Sequence, residues 1–178
     1  MRLKKAEPAD RAWLSELYTG AFPDDERAPF RLLRRRAEQG RAEFWCLMDG
    51  ETRVGLAYVL RRQGLAYLFY LAVIPGLRGK GYGTQAIAAL REHYDGCRLF
   101  LALETLDPAA ENYVQRVHRH AFYERCGLKD LPYRLKEASV IYALMGVGGS
   151  VQPGEYKAMI SRFLGWPLRW LIDMRFIV

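Results

Sequence analysis

The run Ala66–Ile74 constrains the fold more than any other segment: it is nine apolar or aromatic residues in a row, with no charge and no alternation. Such a strand is buried on both faces, so the chain must place other layers on either side of a sheet. Pro75-Gly76 ends it. Upstream, Met1–Glu7 reads as a first strand. Pro8 and Asp10 open a helix in which Trp13, Leu14, Leu17, Tyr18 and Ala21 recur at three- and four-residue steps, ending near Phe22-Pro23. The acidic connector Asp24-Asp25-Glu26 leads into a second helix, with Pro29 early in its first turn, an apolar side of Phe30, Leu33 and Ala37, and a stop at Gly40. Glu43–Met48 and Thr52–Leu60 read as strands joined through the hairpin signal Asp49-Gly50. Beyond the central run, Tyr82–Asp95 is a helix stopped by Gly96, and Arg98–Glu104 is another buried strand. Glu111–Cys126 is a helix stopped by Gly127, and Ser139–Met145 is a late strand. The order β-α-α-β-β-β-α-β-α-β predicts an α/β (α+β) chain with a mixed sheet and helices on both faces. Gly146–Gly154 reads as a linker and Glu155–Val178 as a helical appendage, which divides the chain into a domain over residues 1–146 and a tail over 147–178.

At 178 residues the chain is one domain plus a tail. A chain of this length buries roughly 70% of its unfolded surface and needs no disulfide or metal staple. A hydrophobic content of 51%, with 13% aromatic, excludes a disordered protein. No apolar stretch approaches the ~20 residues of a membrane span, and no apolar segment follows the basic N-terminus, so neither a membrane span nor export is expected. Cys46, Cys97 and Cys126 lie far apart without a C-x-x-C spacing, as reduced thiols of a cytoplasmic protein would. The formal charge of +7 favours an anionic partner.

That anion has an evident place. Directly after the central strand, Gly79, Gly81 and Gly83 alternate with Lys80 and Tyr82, Arg78 precedes them, and a helix starts from the loop. Unpaired N–H groups at a helix start carry partial positive charge. Glycine there keeps a Cβ from holding a phosphate away from those groups. The segment therefore predicts a phosphate or pyrophosphate cradle. It is not the nucleoside-triphosphate loop, because Tyr82 stands where that motif needs Lys after Gly76 and Gly81. Gly81-Tyr82-Gly83-Thr84-Gln85-Ala86 matches the dinucleotide pattern G-x-G-x-x-A, and Glu104 follows 23 residues after Gly81. However, Pro75–Lys80 intervene where that fingerprint has a tight turn straight off the strand. An NAD- or FAD-dependent enzyme is the alternative this leaves open.

The chain resembles the Gcn5-related N-acetyltransferases, the GNAT family. Their acetyl-coenzyme A motif is Gln or Arg, two residues, Gly, one residue, then Gly or Ala, and Arg78-Gly79-Lys80-Gly81-Tyr82-Gly83 fits it. Phe122-Tyr123-Glu124-Arg125-Cys126-Gly127-Leu128 fits a second family segment, and the element order agrees over residues 1–146. The closest likeness is to a bacterial subgroup with a similar arginine-rich approach to the Tyr. The resemblance implies the acyl-CoA N-acyltransferase fold, with a mostly antiparallel mixed sheet of about six to seven strands. It further implies transfer of acetyl from acetyl-coenzyme A to an amine by direct attack in a ternary complex. The acceptor would be a small molecule or an exposed amino group of a peptide. A non-catalytic acyl-coenzyme A sensor on the same fold is a further alternative.

By the same resemblance, Leu71, Ala72 and Val73 would lie beside the pantetheine arm, and a backbone N–H near Val73 would face the thioester oxygen. The amides of Gly79, Lys80, Gly81, Tyr82, Gly83 and Thr84, with Arg78, would hold the pyrophosphate. Tyr123 would serve the departing thiolate. With ordinary values of about 10 for Tyr and about 8.5 for a thiol, full proton transfer is uphill by roughly 2 kcal/mol, so a hydrogen bond to sulfur is the expected role. An amine near 10.4 is mostly protonated at neutral pH, so a base is needed. Glu104, ending an apolar strand, and Glu26, in the acidic connector, are the two candidates. Many relatives carry Asn seven residues before the Tyr and Ala four before it, where this chain has Arg116 and Arg119. Arg116 is therefore a candidate for a coenzyme phosphate in place of the Asn, the alternative being that Arg116 and Arg119 are simply solvated.

Other features point to no chemistry. His93, His118 and His120 lack metal-ligand spacing with any cysteine pair, so no metal is expected. Cys126 reads as a packed thiol. Arg31, Arg34, Arg35 and Arg36 form a solvated basic face rather than a nucleic-acid surface, since Phe30 and Leu33 belong to the core. Trp166, Trp170 and Phe176 in the tail are expected to pack on the chain itself or on a second copy, compatible with a homodimer.

Overall fold

The computed structural model describes residues 1–24, 26–137, 140–165 and 174–177. The chain divides into two compact units: Met1–Arg61 with Leu68–Asp95, and Arg62–Tyr67 with Gly96–Val178.

The first unit holds β1 (Arg2–Lys5), α1 (Arg11–Ala21), α2 (Phe30–Glu38), β2 (Glu43–Asp49), nearly all of β3 (Thr52–Arg62), the end of β4 (Leu65–Val73) and α3 (Tyr82–His93). Its strand neighbours run β1-β2-β3-β4. β1 and β2 are antiparallel, with Arg2 opposite Met48 and Lys5 opposite Trp45. β2 and β3 form the expected hairpin, with a register shift between Leu47 and Met48. The predicted helix faces are the ones that pack: Leu14 and Tyr18 on α1, Leu33 on α2, and Ala86, Ile87 and Leu90 on α3 are buried. Two buried phenols of this unit have partners, as most buried polar groups do. Tyr58 donates to the Leu33 carbonyl (2.8 Å), and Trp45 Nε1 donates to the Tyr94 hydroxyl (2.8 Å), which in turn donates to Glu43. Asp10 is fully buried, and its Oδ1 takes both Arg53 Nε (3.0 Å) and Nη2 (2.6 Å).

The second unit holds the start of β4, β5 (Arg98–Glu104), α4 (Tyr113–Arg125), β6 (Lys129–Glu137), β7 (Val140–Val147), α5 (Pro153–Leu164) and β8 (Met174–Ile177). Its strand neighbours run β4-β5-β7-β6-β8. β4 and β5 are parallel, with Leu65 opposite Arg98 and Tyr67 opposite Phe100. The pairs β5–β7, β6–β7 and β6–β8 are antiparallel. Tyr67 stacks on Phe100 at 4.7 Å, and Tyr156 of α5 meets both rings edge-on. The fold is thus the mixed, mostly antiparallel sheet with helices that the sequence predicts.

Two features differ from the sequence reading. β6, absent from the predicted order, lies between α4 and β7. It carries Pro132 and charges at both ends, and a register irregularity between Asp130 and Arg134 takes up the segment around the proline. The tail is not one helix from Glu155. α5 starts at Pro153 and stops at Leu164, where Gly165 takes a positive φ of 67°, and β8 then pairs with β6. Trp166 and Trp170 lie outside the described residues, as does the side chain of Phe176.

Candidate active site

The glycine loop, the end of β4 and Glu26 belong to the first unit. After Val73, the Ile74 N–H bonds the Val54 carbonyl (2.9 Å), and Pro75–Leu77 make one tight helical turn. Arg78 returns to extended backbone and donates through Nε to the Val73 carbonyl (3.3 Å). Gly79 and Gly81 then take φ of 77° and 83°, the left-handed region that glycine enters without strain. Gly81 caps α3, whose first backbone bond runs from Gln85 N–H to the Gly81 carbonyl (3.1 Å). The amides of Gly81, Tyr82, Gly83 and Thr84 precede that bond and have no helical acceptor. No acidic side chain occupies the first turn of α3, where one is otherwise favoured. A Cβ on Gly79 would meet nothing within 4 Å, and one on Gly81 only Gln85 Nε2 at 4.0 Å. Arg78, Gly79, Lys80 and Gly81 are exposed. Open space, amides without a helical acceptor and two full positive charges fit a diphosphate. The Tyr82 hydroxyl donates to Asp49 Oδ2 (2.7 Å), tying the first residue of α3 to the β2–β3 turn, and this bond raises the Tyr82 phenol above its ordinary range. On β4, Ala72 is buried, while Leu71 and Val73 are half-buried.

Glu26 is exposed on its connector. What fixes the connector is a pair of buried tyrosines that the sequence shows only as apolar positions. The Tyr70 hydroxyl donates to the Glu26 carbonyl (3.1 Å) and accepts from the Ala28 N–H (3.0 Å). The Tyr18 hydroxyl donates to the Ala28 carbonyl (2.9 Å), and the two rings meet edge-on at 4.9 Å. Arg27 pairs with Asp24 and donates to the Thr19 carbonyl (3.1 Å). Asp25 lies outside the described residues.

Glu104, Arg116 and Tyr123 belong to the second unit. Sequence reasoning singled out Glu104 and Arg116 separately, and the structure brings them together. Arg116 Nη2 lies 2.7 Å from Glu104 Oε1, its Nε donates to Asn112 Oδ1 (2.6 Å), and its Nη1 donates to the Thr105 carbonyl (3.0 Å). Glu104 Oε2 accepts from Asn112 Nδ2 (3.4 Å) and lies 3.6 Å from Arg119 Nη1. The Arg116 guanidinium is therefore engaged on three sides within the unit, and both Glu104 oxygens have cationic neighbours. Asn112, just before α4, carried no signal in the sequence.

Tyr123 is buried in the last turns of α4, against Phe122. Burial pushes its phenol up to about 12; the Arg119 charge pulls it down and Cys126 raises it further. Among the described residues none is a hydrogen-bond partner of its hydroxyl. Cys126 is buried, as expected of a packed thiol. One cluster escaped sequence reading because Asp130 comes from the unpredicted β6. His120 Nε2 lies 2.9 and 3.1 Å from the two Asp130 oxygens, and its Nδ1 lies 3.6 Å from Glu124. The carboxylates face different ring nitrogens, a geometry that clamps α4 to β6.

The sequence model of the Acetyltransferase (GNAT) family matches residues 11–128. A comparison with curated proteins finds no match. Among solved structures, a protein from Bacteroides thetaiotaomicron assigned to the GNAT family has a TM-score of 0.73 at 22% identity, covering 89% of this chain and 93% of its own. An aminoglycoside 6'-N-acetyltransferase complexed with coenzyme A has a TM-score of 0.65 at 18% identity, covering 82% of this chain and 96% of its own. The ribosomal-protein-S18-alanine N-acetyltransferase from Escherichia coli has a TM-score of 0.63 at 17% identity, covering 85% of this chain and 95% of its own. At these identities the likeness shows the fold. With a family match spanning both the glycine loop and Tyr123, the chain belongs to the acetyltransferase (GNAT) family and is an acyltransferase.

Proposed function

We propose that the chain transfers acetyl from acetyl-coenzyme A to an amine by direct attack in a ternary complex. The observation that carries this reading is the Gly79–Thr84 loop, with its left-handed glycines, its amides without helical acceptors and its open space, in a member of an acetyltransferase family. Acetyl-coenzyme A supplies the activated acyl group. A base takes one proton from the ammonium, and the freed nitrogen lone pair forms the bond to the thioester carbon as the carbon–sulfur bond breaks. The electron pair leaves on sulfur, and the second nitrogen proton passes to solvent.

The chain's own residues divide the remaining work. The loop amides, with Arg78 and Lys80, hold the diphosphate, and the backbone of Leu71, Ala72 and Val73 lines the pantetheine. Tyr123 donates a hydrogen bond to the leaving sulfur. With the phenol near 12 and a thiol near 8.5, complete proton transfer would be roughly 5 kcal/mol uphill. Tyr123 thus keeps its proton and stabilises the thiolate as a donor. Glu26, exposed on a connector pinned by Tyr18 and Tyr70, is the general base. Glu104 is engaged with Arg116 and Arg119 and acts by holding them, and Arg116 is accordingly structural rather than a phosphate ligand.

The reading suits the cytoplasm of a bacterium, with Cys46, Cys97 and Cys126 as free thiols. No helix among the described residues is long and apolar enough to cross a membrane. The acceptor is an amine of a small molecule or an exposed amino group of a peptide. The test is release of free thiol from acetyl-coenzyme A across a panel of aminoglycosides, polyamines and peptide N-termini. Thiol release with at least one class, cut but not abolished in Tyr123→Phe and with coenzyme A binding kept, is expected. Stabilisation by NAD or FAD but not by coenzyme A would overturn the reading, and tight coenzyme A binding with no thiol release would favour a sensor.

A further inference from the structure

We propose that Arg119 is the electrostatic partner of Tyr123: a guanidinium one helical turn before the phenol, held by Glu104, that favours negative charge where the sulfur departs. This rests on the acetyl-transfer reading and deepens it. Arg119 and Tyr123 are four residues apart on α4 and so share a face of the helix. The two arginines of that helix are used differently. Arg116 spends three guanidinium nitrogens on Asn112, Thr105 and Glu104 at 2.6–3.0 Å. Arg119 reaches Glu104 only at 3.6 Å, beyond hydrogen-bond length, and its side chain is 40% exposed. It is steered by the carboxylate without being consumed by it.

Charge arithmetic in the cluster points the same way. One carboxylate faces two guanidinium groups, which leaves a net positive charge on the face of α4 that Arg119 shares with Tyr123. Of the groups acting on Tyr123, burial opposes a negative charge there most strongly, Arg119 favours it and Cys126 opposes it. Among the described residues, Arg119, one turn before the phenol on the same face of α4, is the cation that pulls it down. During transfer the nitrogen–carbon bond forms, the carbon–sulfur bond breaks and the electron pair settles on sulfur. One nitrogen proton passes to the base before attack and the second to solvent after it, while Tyr123 keeps its own. The new thiolate is hydrogen-bonded to a donor polarised by a nearby cation, a preorganised arrangement. Arg119 acts through Tyr123 and is a positioning residue, with Glu104 behind it.

The test uses the full chain with fluorotyrosine incorporated, the Tyr123 resonance being the one missing from Tyr123→Phe. In the ¹⁹F spectrum Arg119→Gln should raise the midpoint of the Tyr123 titration, and Arg119→Lys should leave it near the parent value. In thiol-release assays Arg119→Gln should lower kcat about tenfold, with coenzyme A binding unchanged and Arg119→Lys restoring most of the rate. In a Tyr123→Phe background the same substitution should cost little more, because the two residues act as one device. An unmoved midpoint, or an Arg119→Gln loss of equal size in both backgrounds, overturns the proposal. If no amine elicits thiol release while the midpoint still moves, the acetyl-transfer reading fails and the coupling of Arg119 to Tyr123 stands.

Discussion

Gly81 sits at a φ of 83° with space above it, and Gly76, five residues earlier, has open space but no positive φ. The pair therefore separates two requirements on a loop glycine. Gly81→Ala should cost about 1–2 kcal/mol of stability, because a Cβ in the left-handed region clashes with its own carbonyl. It should also weaken coenzyme A binding about tenfold, since the methyl stands between the phosphate and the amides. Gly76→Ala should do neither. Urea unfolding and calorimetric titration of coenzyme A check both. Asp10 sets a second residue-scale expectation. Burial pushes its carboxyl up, but the Glu7 N–H, Arg53 and Lys4 outweigh it and hold the group below its ordinary range. A lowered folded pKa means stability that is present above the unfolded value near 3.8 and is lost as pH falls through the folded one. Asp10→Asn should cost about 3 kcal/mol at neutral pH, since Arg53 loses its partner. It should also flatten the acid limb of stability against pH, measured by denaturant unfolding between neutrality and the acid transition.

At the scale of elements, the glycine of the first unit with least room for a side chain is Gly55 on β3, against β4. A Cβ there would lie 2.3 Å from the Ala72 carbonyl oxygen, a backbone atom that cannot swing aside. Gly55→Ala should therefore force the strands apart and cost about 3 kcal/mol or more. Because Ala72 is flanked by the proposed pantetheine-lining residues, coenzyme A affinity should fall with it; a variant with parental stability and affinity would contradict this. Nothing in the sequence marks Gly55 as special, because a contact between strands is not visible in one strand's pattern. The elements that were legible have strong periodicity or hard stops: the α1 and α3 faces, the Asp49-Gly50 hairpin and the Ala66–Ile74 run. β6 was not legible, because among its described side chains only Leu135 is buried and Pro132 argues against a strand. The site divides in the same way. The loop and Tyr123 stand in local motifs, whereas the Glu104–Arg116–Arg119 cluster joins a strand end to a helix face and needs the fold to assemble. The tyrosine pins on the Glu26 connector are hidden for another reason, since a phenol reads as apolar until its hydroxyl has a partner.

At the scale of the whole molecule, the tail bears most on what counts as the domain. The family match ends at residue 128, yet α5 buries Tyr156, Met159, Ile160, Phe163 and Leu164. At roughly 1.5–3 kcal/mol for each large side chain removed from water, these five contribute about 10 kcal/mol before entropy, as an upper figure. Polar contacts direct the packing: Arg98 Nη2 and Nη1 lie 2.6 and 3.0 Å from the Glu155 oxygens, holding that carboxyl below its usual range, and Nη1 also donates to the Ser150 carbonyl (2.8 Å). Arg98 is the first residue of β5, opposite Leu65 at the start of β4, so α5 is fastened where the parallel pair begins. A chain ending at Val147 should consequently expose Tyr67 and Phe100, lose hydrogen-exchange protection along β5 and β7, and melt far below the parent. Arg98→Met in the full chain should fall between the two, with α5 amides exchanging faster while the β2–β3 hairpin keeps its protection. Were the shortened chain to melt within a few degrees of the parent, α5 would be an appendage after all, and the second unit's core would have to be complete without it.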